Sequence, residues 1–123
     1  MATLTNIELG SIVYNLIENI PTGISGTLPF LVSKQVDRAQ NITGDTISDS
    51  AIADTYQPGI VDLTIGNILS LMEAQGIGTK AVKIGELSIQ KGMQDGSSKS
   101  WETMGIQELK DIGERISYYQ AWN

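Results

Sequence analysis

The side chains able to do chemistry in these 123 residues are carboxylates, hydroxyls, amides and amines, because the chain has neither cysteine nor histidine. Thiolate nucleophiles, imidazole bases, disulfides and the usual zinc ligands are removed together. Asp45, Asp49 and Asp54 are the acids close enough in sequence to suggest a cation or an acid–base pair. Their spacing matches no calcium loop, and Ser48 or Asp49 reads more simply as the N-cap of a following helical turn. An enzyme built on paired carboxylates would need a pocket gathering acids of raised pKa. The expectation is that the protein is not an enzyme and uses no cofactor or metal. GIGTKA (76–81) satisfies a loose dinucleotide pattern, but a helix precedes it and a strand follows, the reverse of what that motif needs. Gly76 and Gly78 therefore read as a helix C-cap and turn. Asn41-Ile42-Thr43 is a formal glycosylation acceptor, which reads as chance because no secretory route is expected.

Two further groups suit contacts rather than catalysis. Lys80, Lys83, Lys91 and Lys99 flank a short β segment and the loop after it, where they either touch DNA or an acidic neighbouring subunit, the subunit being preferred because residues 77–123 are neutral overall, or guard the edges of a solvated ribbon. Tyr118, Tyr119 and Trp122 stand within the last six residues, where chains usually fray. Tyr119 faces the central helix in this reading, while Tyr118 and Trp122 point elsewhere and are candidate contacts to another protein, since Trp and Tyr dominate interface hot spots.

The elements that must position these residues follow from pattern. Thr5 and Glu8 form a capping box, and Leu9, Ile12, Val13, Leu16, Ile17 and Ile20 recur at helical spacing before Pro21 and Gly23. Thr22 to Gly26 reads as a loop. Leu28, Leu31, Val32, Val36 and Ala39 line a second helix, with Pro29 in its first turn. After the polar stretch 42–50, a helical turn over Ala51 to Tyr56 meets Pro58 and Gly59, which restart the chain. Ile60 to Gln75 is apolar on nearly every turn and stops at Gly76, so it is the central helix. Val82, Ile84, Leu87 and Ile89 alternate with polar residues and slip phase at Gly85-Glu86, a hairpin turn or a bulge. Trp101, Met104, Leu109, Ile112, Ile116 and Tyr119 mark a last helix. The expected fold class is mainly α, one domain over 1–123, a bundle of about four helices with a small projecting β-hairpin.

Charge is unevenly placed. Residues 1–76 hold Glu8, Glu18, Asp37, Asp45, Asp49, Asp54, Asp62 and Glu73 against Lys34 and Arg38, which accounts for the whole net charge of −6. An acidic chain without a basic patch is a poor grip on a phosphate backbone. Charged residues are only 18% of the total, against roughly 25% in ordinary soluble domains. A large apolar area is thus expected to meet a partner. The N-terminus lacks the features of a signal peptide and no apolar run approaches a membrane span, so a soluble protein made in the cytoplasm and without membrane contact is expected.

From about Ser48 to Asn123 the order of features resembles the head-to-tail connector (adaptor) proteins of tailed phages. The features are the apolar helix ending in glycine (IGNILSLMEAQGIG, 65–78), the strand pair VKIGELSIQKG (82–92), the SSKSWETM opening (97–104) and the helix LKDIGERISYY (109–119). Residues 1–45 match only as a helical pair. The resemblance implies a ring, commonly of twelve subunits, beneath the portal protein at the capsid vertex of the virion. That ring extends the DNA channel and docks the tail terminator or the neck stopper. It implies that the C-terminal segment engages the portal and that the hairpin, with Lys83 and Lys91, lies against the adjacent subunit. Genomic DNA would pass through without specific binding, and acidic Asp45 and Asp49 are candidates for the lumen, where repulsion keeps DNA sliding. The alternatives are another neck or tail-completion subunit, or a small helical regulatory module acting as a dimer. A dimer needs one self-complementary patch, whereas a ring subunit needs two different faces.

Overall fold

A computed structural model describes residues 3–17, 20–76 and 98–122, with side chains as far as residue 113. Its described elements are β1 (Thr3–Leu4), α1 (Asn6–Leu16), α2 (Thr22–Ser25), α3 (Leu28–Thr43), β2 (Ile52–Ala53), α4 (Gln57–Ala74) and α5 (Ser98–Trp122). The protein is mainly helical, with four substantial helices, one single-turn helix and a two-stranded antiparallel β pair among the described residues. That β pair joins Thr3 to Ala53 and Leu4 to Ile52. The hairpin expected over 82–92 lies outside the described residues.

The capping box forms as read: Thr5 Oγ1 accepts from Glu8 N, and Glu8 Oε1 accepts from Thr5 N, both at 3.1 Å. α1 nevertheless stops at Leu16, short of Ile20. Ile17 adopts an extended backbone (φ −113°, ψ 124°) and drops its side chain into the core. Thr22–Ser25, expected as loop, is a turn of helix, because Ile24 is buried and Ile24, Ser25 and Gly26 donate back to Pro21 and Thr22 carbonyls. α3 has Pro29 in its first turn and buries the expected face. It ends at Gly44, whose φ of 76° is a left-handed cap that glycine adopts without a Cβ penalty.

The helical turn expected over Ala51 to Tyr56 is instead strand β2 followed by a turn. Leu4 and Ile52 pair across the two strands and both pack on the core, and this long-range burial outweighs the local helical tendency. Asp49 consequently caps no helix; its backbone carbonyl accepts from Asn6 N at 2.8 Å, tying the loop to the start of α1. Pro58 then sits in the first turn of α4, where the restart was expected.

α4 is the central helix, burying residues from Gly59 to Met72 on almost every side. It divides two apolar clusters. One gathers Val13, Leu28, Ile65, Leu69 and Trp101, and the other Leu9, Val36, Ile60, Leu63 and Leu109. α5 crosses α4 antiparallel and very closely. A Cβ added at Gly105 would lie 2.9 Å from the Gly59 carbonyl oxygen, and one at Gly66 2.9 Å from the Ser98 carbonyl oxygen. Glycine is required at this crossing by the approach of one backbone to another. Arg38 and Glu102 clip α3 to α5 at 3.0 Å on the surface, a contact worth at most about 1 kcal/mol. Gly76 closes α4 with φ 75° and donates to the Glu73 carbonyl, as its C-cap reading requires.

Candidate functional site

α1 packs one face into both clusters through Leu9, Gly10 and Val13. Its exposed crest is Glu8, Ser11 and Asn15, at three- and four-residue spacing. Between crest and core, each flank carries apolar side chains that the fold leaves uncovered. On one flank are Ile7 and Tyr14, seven residues apart and 63% and 53% exposed. On the other are Ile12, 40% exposed, and the partly buried Leu16. The sequence reading placed Ile12 in the buried stripe. It lies instead at the stripe's edge, because α1 rests on α3 and α4 over less than half its circumference.

Each flank borders a different groove. The Ile7–Tyr14 side opens onto a groove of about 560 Å³ walled by Thr22, Ser25 and Gly26 and by Leu28 and Pro29 at the start of α3. Its helix contact is close, with Leu28 Cβ 3.4 Å from where a Cβ on Gly10 would stand. The Ile12–Leu16 side borders a groove of about 320 Å³ floored by Leu9, Pro58 and Val61, with Asp54 and Asp62 beside it. The first groove is rich in hydroxyls, whereas the second combines an apolar floor with carboxylates. Phe30, 65% exposed, stands on the outer face of α3 next to Pro29. The pattern offered one signal for these residues: Ile7, Tyr14 and Phe30 all fall off the helical stripes that account for the core.

The acids are not brought together as a reactive set. Asp45 accepts a hydrogen bond from Tyr56 Oη at 2.6 Å, a short charge-assisted contact that staples the loop after α3 to the turn before α4. Burial, that hydrogen bond and the Asp45 charge push the Tyr56 phenol from 10.0 up to about 12. Asp49 and Asp54 are both exposed. Among the described residues no three acids are placed to hold a metal ion, and no helix is long and apolar enough to cross a membrane. Asp45 thus has a structural duty, and Asp49 is the one of the two lumen candidates whose carboxylate faces solvent.

Tyr118, Tyr119 and Trp122 lie on the last turns of α5, where the backbone is helical and the side chains are outside the described residues. Lys83 and Lys91 are likewise outside the described residues. Compared with known proteins, the chain matches no family model, no curated protein and no solved structure.

Proposed function

We propose that this chain is a structural subunit of a tailed-phage neck that assembles head to tail into a ring, in the manner of the connector proteins its last two thirds resemble. The ring sits below the portal, lines the DNA channel and offers a platform to the tail or stopper. The observation that carries the assembly part is the pair of unlike apolar flanks on α1, separated by the Glu8–Ser11–Asn15 crest. A heterologous contact uses two different patches per subunit and closes a ring when its rotation closes. A two-fold dimer would use one patch against itself and leave the other flank uncovered. The phage part rests on the sequence order of the central helix, the strand pair expected over 82–92 and the aromatic-ended last helix. The net charge of −6 per subunit, multiplied around a ring, makes a collar that repels DNA rather than holding it.

The test is mass photometry and cryo-electron microscopy of the protein alone and mixed with portal rings. Stoichiometric decoration of a portal by a ring of this chain is the expected result. A stable two-fold dimer that ignores every portal offered would overturn it and favour a small helical regulatory module.

A further inference from the structure

Phe30 and the α1–α4 groove are complementary surfaces of one molecule that cannot meet within it. Phe30 lies on α3 directly opposite the face that buries Leu28, Val32, Gln35 and Ala39. Lys34 follows one turn later on the same outer face and is exposed. Of the two bases in residues 1–76, Arg38 is engaged by Glu102, whereas no ion pair among the described residues engages Lys34. The outer face of α3 thus presents an aromatic knob with a cation beside it. Asp37 continues that face about 10 Å beyond Phe30 along the axis and accepts from Gln40 Nε2 at 3.3 Å.

The groove between α1 and α4 has the opposite character. Its walls are Leu9, Ile12, Leu16, Pro58 and Val61, and its acids are exposed Asp54 and buried Asp62. The body of α1 separates groove and knob, since one of its flanks meets the start of α3 at Leu28 and Pro29 and the other meets α4.

We propose that this groove receives Phe30 of a second copy of the chain, with that copy's Lys34 set against Asp54. The contact rests on the ring-subunit reading above and names the surfaces that build the ring. An aromatic side chain brings a large apolar area into an apolar groove, and the flanking charge pair fixes its orientation. Because knob and groove are on different sides, each subunit gives Phe30 to one neighbour and the groove to the other.

The chain has no cysteine, so engineered thiols report the contact without background. A mixture of Lys34→Cys and Asp54→Cys variants, both of which keep Phe30, should form a disulfide dimer under mild oxidation, the double variant a ladder, and neither single variant a dimer with itself. In sedimentation velocity, Phe30→Asp should weaken self-association about 30-fold or more, as loss of a hot spot does. Lys34→Glu should weaken it about fivefold, and adding Asp54→Lys to the same chain should restore it. All three positions have exposed side chains, and circular dichroism confirms that each variant folds. Cross-linking of either single variant to itself overturns the contact and replaces the ring with a two-fold dimer. Rings that form, alone or on a portal, without this cross-link and undisturbed by Phe30→Asp overturn the contact and leave the ring reading standing. A chain that stays monomeric at about 0.3 mM with no cross-link also overturns the contact, leaving ring assembly to the portal experiment.

Discussion

Replacing Gly105 with alanine sets helix propensity against tertiary packing. In an open helix interior the change stabilises by about 1 kcal/mol, because alanine orders its backbone at less entropic cost. Here the new Cβ would lie 2.9 Å from the Gly59 carbonyl oxygen, 2.9 Å from Leu63 Cγ and 3.0 Å from Leu63 N. Ordinary contact begins near 3.4 Å. Two of the three atoms are backbone and cannot rotate away, so α4 and α5 must separate by roughly half an ångström. A gap of that size forfeits about a quarter of the dispersion attraction across the affected contacts, and overpacking of this kind costs about 1–3 kcal/mol. Leu63 and Leu109 are fully buried beside the crossing, so the loss falls on the second cluster. After the propensity gain is deducted, the net destabilisation is up to about 2 kcal/mol, a fall in Tm of up to roughly 8 °C for a domain of this size. Thermal and urea unfolding followed by circular dichroism measures it. Gly23→Ala is the control, since nothing lies within 4 Å of its Cβ position; its Tm should hold or rise slightly. If Gly105→Ala instead raises Tm, the propensity gain is unopposed, the two backbones are not in contact and the account of the α4–α5 crossing fails.

Two further outcomes are expected. Tyr56 is held neutral well beyond an ordinary phenol, up to about 12, so its contribution to stability is complete below pH 10 and is lost as pH rises from 10 to 12. Ultraviolet titration should show a late tyrosine step that Tyr56→Phe removes along with the hydrogen bond; a titration whose late part is the same in wild type and Tyr56→Phe rejects the assignment. Asp49→Asn should leave the unfolding free energy within about 0.5 kcal/mol of wild type, because its carboxylate is exposed and only its backbone carbonyl is used. If Asp49 faces the channel, virions carrying this change should alter DNA retention or ejection, and unchanged retention and ejection would remove it from the lumen.

Sequence alone determined the parts of this protein that local chemistry controls. The Thr5–Glu8 capping box, the buried face of α3, the start of α4 at Pro58 and its stop at Gly76 all depend on residues within a turn or two of one another. The all-round apolar content of residues 60–72 marks α4 as the central helix whatever packs around it. Tertiary structure decided what depends on residues far apart in the chain. Strands of two residues each, Thr3–Leu4 and Ile52–Ala53, are too short to show an alternation, and only their pairing and shared burial create them. By propensity alone a glycine weakens a helix, but with α5 laid across α4 Gly66 and Gly105 admit a second backbone and Gly59 admits the Leu109 side chain. Asp45 resembled a member of an acidic cluster, and the turn that brings Tyr56 to it made it a structural acceptor. Ile12 followed the core periodicity and still lies in the open, because periodicity specifies the direction of a side chain and not whether another element covers it. The two unlike flanks of α1 belong to that last class: their residues are plain in the sequence, but their exposure is a property of how few helices surround them.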